Sequence, residues 1–322
     1  MSDITPLQFG GLRFGLATLV AVSLVAGTAS AQRVVPGSGI RVNGAGDDFE
    51  DADWEFIHNF PKSSRNIDKR VREPYGMSKN QRWFESPKRG QPDVLLRVTP
   101  PAGGIEGSTG ALLMRSLHTG LPGVVTRTSQ QDDLLFDVST AVGGTIPVSK
   151  SPSVVVRVFL PPFDKWEDQT ATSFGLRAAV MSTAMQQKKG LFGVRRVKKR
   201  EIYFPGIFIQ FNSKTDRNVE KDSAVFIIRG NDYGKDYIAG KIKQTGWWTL
   251  GMSFTPDGRT HYYVSPGVDD LTEKDRIASH FPQSVHCERF HTYFFNVCNS
   301  HDGVKWSTDW IIDDPALYVL RR

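Results

Sequence analysis

The sequence predicts an all-β protein, built as an antiparallel β-sandwich with little helix. Short apolar runs recur along the chain, and they are rich in β-branched and aromatic side chains. Most of these runs end at Gly, Pro, Asn or Asp, which is the spacing typical of sandwiches and barrels. The runs are residues 94–98, 111–114, 134–138, 154–160, 207–211, 224–228, 247–254, 261–264, 293–297 and 316–320.

The clearest hairpin lies at residues 247–264. Within 247–254 every even-numbered residue is large and apolar, whereas the odd-numbered residues are mixed, which is the period of a strand. Pro256, Asp257 and Gly258 then favour a turn, because proline presets φ and glycine accepts a positive φ. The two strands are therefore predicted to pair in antiparallel fashion.

Two further segments are assigned from their patterns. Residues 174–187 begin with apolar residues at alternate positions and are predicted as a strand, although 181–185 would also suit a helix. Asp270 followed by Glu273 has the spacing of a helix N-terminus, so a short helix is predicted toward Ser279.

The N-terminus has the three parts of a secretory signal peptide. Arg13 precedes an apolar stretch at residues 15–26, which is followed by Ala29-Ser30-Ala31. We predict cleavage after Ala31, a flexible linker at 32–46 that is rich in glycine, and one β-sandwich domain at 47–322. The predicted location is secreted, periplasmic or at the cell surface, with no transmembrane segment after cleavage. An uncleaved anchor is the alternative, but the apolar stretch is shorter than the roughly 20 residues that span a bilayer.

Net charge and cysteine content bear on the possible partners of the protein and on a possible disulfide. The 40 Lys and Arg against 34 Asp and Glu give a net charge of +6, which is modest for this length, and we predict no nucleic-acid partner. Cys287 and Cys298 are the 2 cysteines of the chain. Export would favour a disulfide between them, and two buried free thiols are the alternative.

The two ends of the predicted domain resemble those of jelly-roll carbohydrate-binding modules and concanavalin A-like sandwiches. The resemblance rests on the acidic segment around Phe49 and Glu50 and on the closing segment around Asp313, Asp314 and Leu317. It implies that the first and last strands, 49–55 and 311–319, lie side by side in one sheet. It also implies a polysaccharide or glycan as partner.

The same resemblance implies a structural calcium ion. Asp48, Glu50, Asp313 and Asp314 would supply the carboxylates, because calcium takes six to eight oxygen ligands. The alternative is that these acids accept hydrogen bonds from the backbone or face solvent.

Aromatic residues of the hairpin are the predicted sugar-binding platform. Sugars pack on flat apolar faces flanked by polar groups, and consecutive strand residues point to opposite faces of a sheet. One residue of each aromatic pair is therefore expected outside the core. The predicted ligand-binding residues are Trp247, Trp248, His261, Tyr262 and Tyr263; cross-strand aromatic pairs that merely stabilise the sheet are the alternative.

No catalytic motif is evident, so the sequence favours binding over catalysis. A glycoside hydrolase needs two carboxylates in one cleft, and the acids at residues 50–55 lack the order found in sandwich-fold glucanases. The segment from Tyr203 to Gln210 is distantly similar to one in sandwich-fold alginate lyases, but its lysine is absent. A glycan-active hydrolase or lyase, or a structural envelope domain, remains the alternative function.

A basic run extends from Lys188 to Arg200. It holds seven Lys and Arg residues, enough to attract an acidic polysaccharide or an anionic surface. A solvated hairpin tip is the alternative.

Overall fold

The computed structural model describes residues 34–190 and 193–321, and this part of the chain forms two antiparallel sheets of eight and eleven strands. The predicted signal peptide lies outside the described residues. The strands before the longest one are β1 (Ile40–Gly46), β2 (Phe56–Ile57), β3 (Met77–Ser78), β4 (Trp83–Glu85), β5 (Val94–Val98), β6 (Ala111–Arg115), β7 (Gln130–Phe136), β8 (Ile146–Pro147) and β9 (Ser153–Leu160). The others are β10 (Ala171–Gly190), β11 (Gly193–Tyr203), β12 (Gly206–Asn212), β13 (Ser223–Arg229), β14 (Tyr237–Ile242), β15 (Gly246–Phe254), β16 (Thr260–Pro266), β17 (Arg276–His280), β18 (Arg289–Asn299) and β19 (Trp310–Val319).

Sheet A has the strand order β17-β16-β15-β9-β19-β6-β5, with β1 also paired to β19. Sheet B has the order β14-β13-β12-β10-β18-β7-β4-β3-β2, with β11 paired to β10 and β8 to β18. The hairpin of β15 and β16 and the strand at β10 are as predicted. The antiparallel β-sandwich is confirmed.

Helices in the described residues are short. They are α1 (Arg65–Asp68), α2 (Val138–Val142) and the 3₁₀ turns η1 (Val148–Lys150), η2 (Phe163–Lys165), η3 (Glu273–Asp275) and η4 (Pro282–Ser284). The helix predicted toward Ser279 is wrong beyond η3. A capping box of Thr272 and Asp275 closes one turn, and the chain then extends as β17 because its residues pair with β16.

The first and last strands pair, but the first strand is not the predicted one. Ile40–Gly46 lies antiparallel to β19, so the prediction of a linker is wrong for these residues. Residues 49–55 lie in no strand; they are irregular, with a turn at 52–53. The glycines of β1 were interpreted as a sign of a flexible linker, but at Gly46 glycine serves the strand pairing. A Cβ at this position would come within 2.5 Å of the Pro315 carbonyl oxygen, so only glycine permits the close approach to β19.

The core lies between the inner faces of the two sheets. Phe174 of sheet B stacks on Phe295 of the same sheet and meets Trp310 of sheet A, with the ring centroids of Phe174 and Trp310 4.9 Å apart. All three side chains are fully buried. Alternate residues of the strands supply this layer, as the sequence period requires.

The outer face of sheet A is covered. The segment before β1 crosses it, and the Ser253 hydroxyl donates to the Val34 carbonyl at 2.6 Å. Val155, Tyr263 and Leu271 form a second small apolar cluster there. This face therefore offers no open sheet surface around β15 and β16.

Cys287 and Cys298 are both buried free cysteines, so the predicted disulfide is wrong. Most of β18 runs between them, and an extended strand advances about 3.4 Å per residue, so their Cα atoms are much farther apart than the roughly 7 Å that a disulfide allows. Burial raises the pKa of the Cys287 thiol to about 12.

Within residues 34–190 and 193–321, no helix has both the length and the apolar character needed to cross a bilayer.

Candidate functional site

The outer face of sheet B carries three polar side chains that are buried on its central strands. Arg177 lies on β10, Asn296 on β18 and Asp133 on β7. In the sheet Asn296 is paired with Asp133, and Arg177 is opposite Phe294. Because their strand neighbours fill the core, the period of two turns these three side chains outward.

Arg177 is buried among aromatic rings on this face. Its guanidinium carbon lies 5.1 to 5.5 Å from the ring centroids of Phe204, Phe208 and Phe294, and its Nη2 donates to the Phe204 carbonyl at 3.1 Å. Its Nε has no hydrogen-bond partner within the protein. Burial lowers the pKa of Arg177 to about 10, which still leaves it charged at neutral pH.

Asp133 and Asn296 form a buried polar pair beside this arginine. The Asp133 carboxylate accepts hydrogen bonds from Asn296 Nδ2 at 2.6 Å and from Gln131 Nε2 at 2.7 Å. Burial raises the pKa of Asp133, and the positive charge of Arg177 opposes that shift. Asn296 Oδ1 has no hydrogen-bond partner within the protein. Buried polar atoms without a partner are uncommon in folded proteins, and each calls for an explanation such as a bound water, an ion or a functional role.

Gly206 and Gly175 allow Arg177 and Phe208 to lie close to the neighbouring backbone. A Cβ at Gly206 would come within 2.7 Å of Arg177 Cγ, and a Cβ at Gly175 would come within 2.7 Å of the Phe208 ring. The missing side chains let the arginine stem and the phenyl ring lie flat on the sheet. The segment from Tyr203 to Gln210, noted in the sequence, thus contributes the two rings Phe204 and Phe208.

A polar cavity of about 370 Å³ opens on this face. Its lining residues are Arg89, Ser129, Gln130, Gln131, Thr172, Phe208, Ile227, Arg229, Asp236 and Cys298. Arg229 Nη1 lies 3.5 Å from Asp236 Oδ2, and its guanidinium carbon lies 5.7 Å from the Phe208 ring centroid. Arg89 Nη1 donates to Gln130 Oε1 at 3.2 Å.

A smaller and mainly apolar cavity of about 140 Å³ lies on the same face. Lys88 borders it, with Nζ 4.4 Å from the centroid of the Phe204 ring, and burial lowers the pKa of this lysine. His291 and Ile202 also line it, and His291 Nδ1 has no hydrogen-bond partner within the protein. The Phe208 ring lines the polar cavity, and the Phe204 and Phe294 rings line the smaller one. All three rings surround Arg177.

Trp247 and Trp248 do point to opposite faces, but neither is open to a ligand. Trp248 packs in the core against Phe226, with ring centroids 5.1 Å apart. Trp247 lies on the outer face under a loop, where its Nε1 donates to the Pro101 carbonyl at 3.0 Å. The predicted platform is wrong here, because the loop supplies the contact that the sequence left open to solvent or a ligand.

The other three predicted platform residues are buried as well. Tyr262 belongs to the core, and the hydroxyl of Tyr263 donates to Glu273 Oε2 at 3.2 Å. His261 Nε2 lies 2.8 Å from the Thr255 hydroxyl, and burial lowers the pKa of this imidazole to about 4. All five predicted platform residues are therefore buried, and they leave no exposed aromatic surface on sheet A in this hairpin.

Two of the predicted calcium ligands do come close together. The Ser108 hydroxyl lies 3.0 Å from Glu50 Oε1 and 2.9 Å from Asp313 Oδ2. The hydrogen bond from the Thr109 side chain contributes most to a lowered pKa of Glu50, whereas burial raises the pKa of Asp313 to about 6.

The other two predicted ligands are directed elsewhere. Asp48 accepts from the Glu50 backbone N–H at 3.3 Å, and Asp314 pairs with Arg41 at 2.8 Å. The part of the chain that the structure describes brings no three His, Cys, Asp or Glu side chains together as a metal site. Protein donors or Arg41 thus contact at least one oxygen of each of the four carboxylates, and calcium binding at these residues stays a prediction.

Sequence reasoning missed Arg177, Asp133 and Asn296, although a signal was present. Arg177 and Asn296 are polar residues inside runs of strand residues that are otherwise apolar or small, whereas Asp133 follows Gln131 and Asp132 and gives no such signal. Charged residues are rarely buried unless they are paired, so such a position marks a site or a structural network.

No protein-family model matches the chain, and no curated protein matches its sequence. Among solved structures, an alginate lyase from Pseudomonas aeruginosa is similar with a TM-score of 0.37 and 9% identity over 71% of this chain and 86% of that one. An endo-β-1,4-glucuronan lyase from Trichoderma reesei has a TM-score of 0.33 and 13% identity over 83% and 94% of the two chains. The carbohydrate recognition domain of Emp46p has a TM-score of 0.32 and 10% identity over 66% and 84%. These are carbohydrate-active proteins, the class that the chain ends predicted, but similarity at this level carries no inference about the function of this chain.

Proposed function

We propose that the protein binds an acidic polysaccharide, a chain containing uronic acids, in the 370 Å³ cavity on the outer face of sheet B. The observation that carries the proposal is the presence of two arginines, Arg89 and Arg229, around the ring of Phe208 in that cavity. On the sequence evidence of residues 1–31, we propose that binding takes place outside the cytoplasm.

The charge of the cavity favours an anion. Arg89 and Arg229 contribute two positive charges, of which Asp236 offsets one through its ion pair with Arg229. Arg177 adds a further positive charge next to the Phe208 ring. A guanidinium matches a planar carboxylate with two parallel hydrogen bonds, which a neutral sugar cannot accept in the same way.

The remaining lining suits the rest of a sugar ring. The C–H face of a pyranose packs on an aromatic ring, which Phe208 supplies, and hydroxyls bond to amides, which Gln130 and Gln131 supply. The volume lies at the lower end of the roughly 300 to 1,000 Å³ of ligand sites.

Binding is tested by titration calorimetry with uronate oligosaccharides, with dextran as the neutral comparison. Arg229→Ala is expected to weaken uronate binding at least about tenfold, because a charge-assisted hydrogen bond contributes about 1.5 to 3 kcal/mol. Arg217→Ala, which removes an exposed arginine outside the cavity, is the matched control and is expected to bind as the unchanged protein does. Equal affinity for dextran, or equal loss in both variants, would contradict the proposal.

Cleavage of the same chain is a second candidate function. The smaller cavity places His291, whose Nδ1 has no partner within the protein, on the same face as Arg177. A lyase uses a base to remove a proton beside a uronate carboxylate, and a cation stabilises the charge that develops. Release of unsaturated oligosaccharides, lost in His291→Ala, would establish the lyase; a polymer of unchanged length would leave binding as the function.

A further inference from the structure

Beyond sheet B, β10 and β11 continue as a two-stranded ribbon. The pairing of β10 with β18 ends at Met181 and Arg289, and from Ser182 onward β10 pairs with β11 alone. At about 3.3 Å per residue, the ribbon extends roughly 30 Å from the edge of the site. Among the described side chains of β11, those at 195, 196 and 198–200 are exposed and therefore available for a partner.

One face of the ribbon continues the face that carries the two cavities. Ile202 lines the smaller cavity, so the alternation of β11 places Arg200, Lys198 and Arg196 on that same face. All three of these basic residues are exposed. Tyr203 packs against the core instead, which puts Glu201, Lys199 and Arg195 on the opposite face.

The charges on the cavity-side face form a regular row. Residues two apart in a strand are separated by about 7 Å, so Arg196, Lys198 and Arg200 span about 13 Å. At the base of this face, Thr183 is paired with Arg200 and donates two hydrogen bonds to the Glu288 carboxylate. The negative charge of Glu288 offsets one of the three positive charges of the row. Lys88 borders the smaller cavity together with Ile202, and its Nζ lies over the Phe204 ring.

We propose that Arg196, Lys198 and Arg200 are a second contact for the same acidic polysaccharide, which leaves the polar cavity, passes Lys88 and lies along the ribbon. The inference rests on the proposed function and extends it from a single sugar site to an extended polymer track. The continuity of the face and the complementarity of its charge with uronate carboxylates support a polymer over a small anion.

A track of this kind makes affinity depend on ligand length. Once the cavity holds one sugar, the ribbon charges meet the rest of the chain at a high effective concentration. The contribution of the ribbon should fall with salt, because its charges are exposed, more steeply than the contribution of the cavity.

Two matched double variants test the track. Lys198→Ala with Arg200→Ala removes one lysine and one arginine from the cavity-side face, and Arg195→Ala with Lys199→Ala removes the same two types from the opposite face. Affinity for a uronate polymer of about forty sugars is expected to fall about tenfold in the first variant and less than twofold in the second. A uronate tetrasaccharide is expected to bind both variants as it binds the unchanged protein. Urea unfolding verifies that both variants fold.

The outcomes separate the two proposals. Tetrasaccharide binding with no gain for the polymer, or equal losses in both double variants, would overturn the track and leave the cavity proposal standing. No tetrasaccharide binding at all would overturn the proposed function. If the first variant lost binding to vesicles of anionic lipid but kept full polymer affinity, the ribbon would be a membrane contact and the track would be wrong.

Discussion

The outer faces of the two sheets have the same strand geometry but differ in what lies over them: other segments cover the outer face of sheet A, whereas the outer face of sheet B carries two cavities. On sheet A, Trp247 and Tyr263 point outward, but loops and the segment before β1 cover them and satisfy their polar atoms. On sheet B, Arg177 and Asn296 point outward, and each keeps a buried polar atom without a partner in the protein. Unpartnered buried atoms also occur on the outer face of sheet A, at His261 Nδ1 and Ser153 Oγ. The two faces therefore differ in what lies beside such atoms, which is covering segments on sheet A and, on sheet B, two cavities lined by Asp133 and the rings around Arg177.

The largest expected effect is on stability, from a substitution on the covered face. Trp247→Ala should lower the free energy of unfolding by about 3 to 5 kcal/mol, because it leaves a cavity under the loop at Pro101 and removes the contact with Phe159. Urea unfolding measures it, with Trp306→Ala, a partly exposed tryptophan, as control. A loss below about 1 kcal/mol would mean that the loop does not cover Trp247.

The second expected effect is a loss of stability in acid that depends on His261. Burial lowers the pKa of this imidazole in the folded protein to about 4, below its usual 6.5, so between these values the unfolded chain binds the proton and the folded chain does not. The contribution of His261 to the free energy of unfolding should therefore be fully present above about pH 6.5. It should fall by about 2 to 3 kcal/mol as the pH drops to 4. His261→Asn should remove that part of the pH dependence in unfolding curves; identical curves for both proteins would contradict the burial of sheet A's outer face.

The third prediction concerns the outer face of sheet B, where a substitution should have a small effect on stability and a large effect on binding. Arg177→Met should change the free energy of unfolding by no more than about 1 kcal/mol. Arg177 Nε has no hydrogen-bond partner and methionine keeps contact with the three rings, while Asp133, which loses a neighbouring positive charge, keeps its hydrogen bonds from Asn296 and Gln131. Uronate affinity should fall at least about tenfold. A loss of several kcal/mol with unchanged affinity would make Arg177 a structural residue.

The smallest expected effect is that of metal removal. Protein donors and Arg41 already hold the carboxylates of Glu50 and Asp314. A ligand that binds only the folded state raises the melting temperature, so calcium and a chelator should give the same melting curve. A higher melting temperature with calcium would restore the metal that the chain ends predicted.

Much of the fold could be predicted because it depends on a local pattern. The alternation in β10 and β15 and the turn at Gly258 are readable from a few neighbouring residues. The pairing of β1 with β19 was assigned to the wrong segment, since β1 is short on apolar residues and is a strand only through its contact with the end of the chain. Such a tertiary effect leaves no local signal.

The site could not be predicted in the same way. The adjacent rings of Trp247 and Trp248 suggested an exposed platform, but whether a loop covers one face of a strand depends on residues far away, here Pro101. Arg177 and Asn296 were visible as polar residues in apolar strands, yet their meeting on one face required the order β10-β18-β7. Sequence alone does not provide that order.

The most direct test is hydrogen–deuterium exchange with and without a uronate oligosaccharide. We expect slower exchange in segments at the mouth of the polar cavity, residues 86–91, 127–131 and 229–236, because the ligand contacts Arg89, Gln130 and Arg229 there. The hairpin of β15 and β16 should be unchanged, since its outer face is already covered. Protection of that hairpin, with no change at the three cavity segments, would contradict the assignment of the binding site to sheet B.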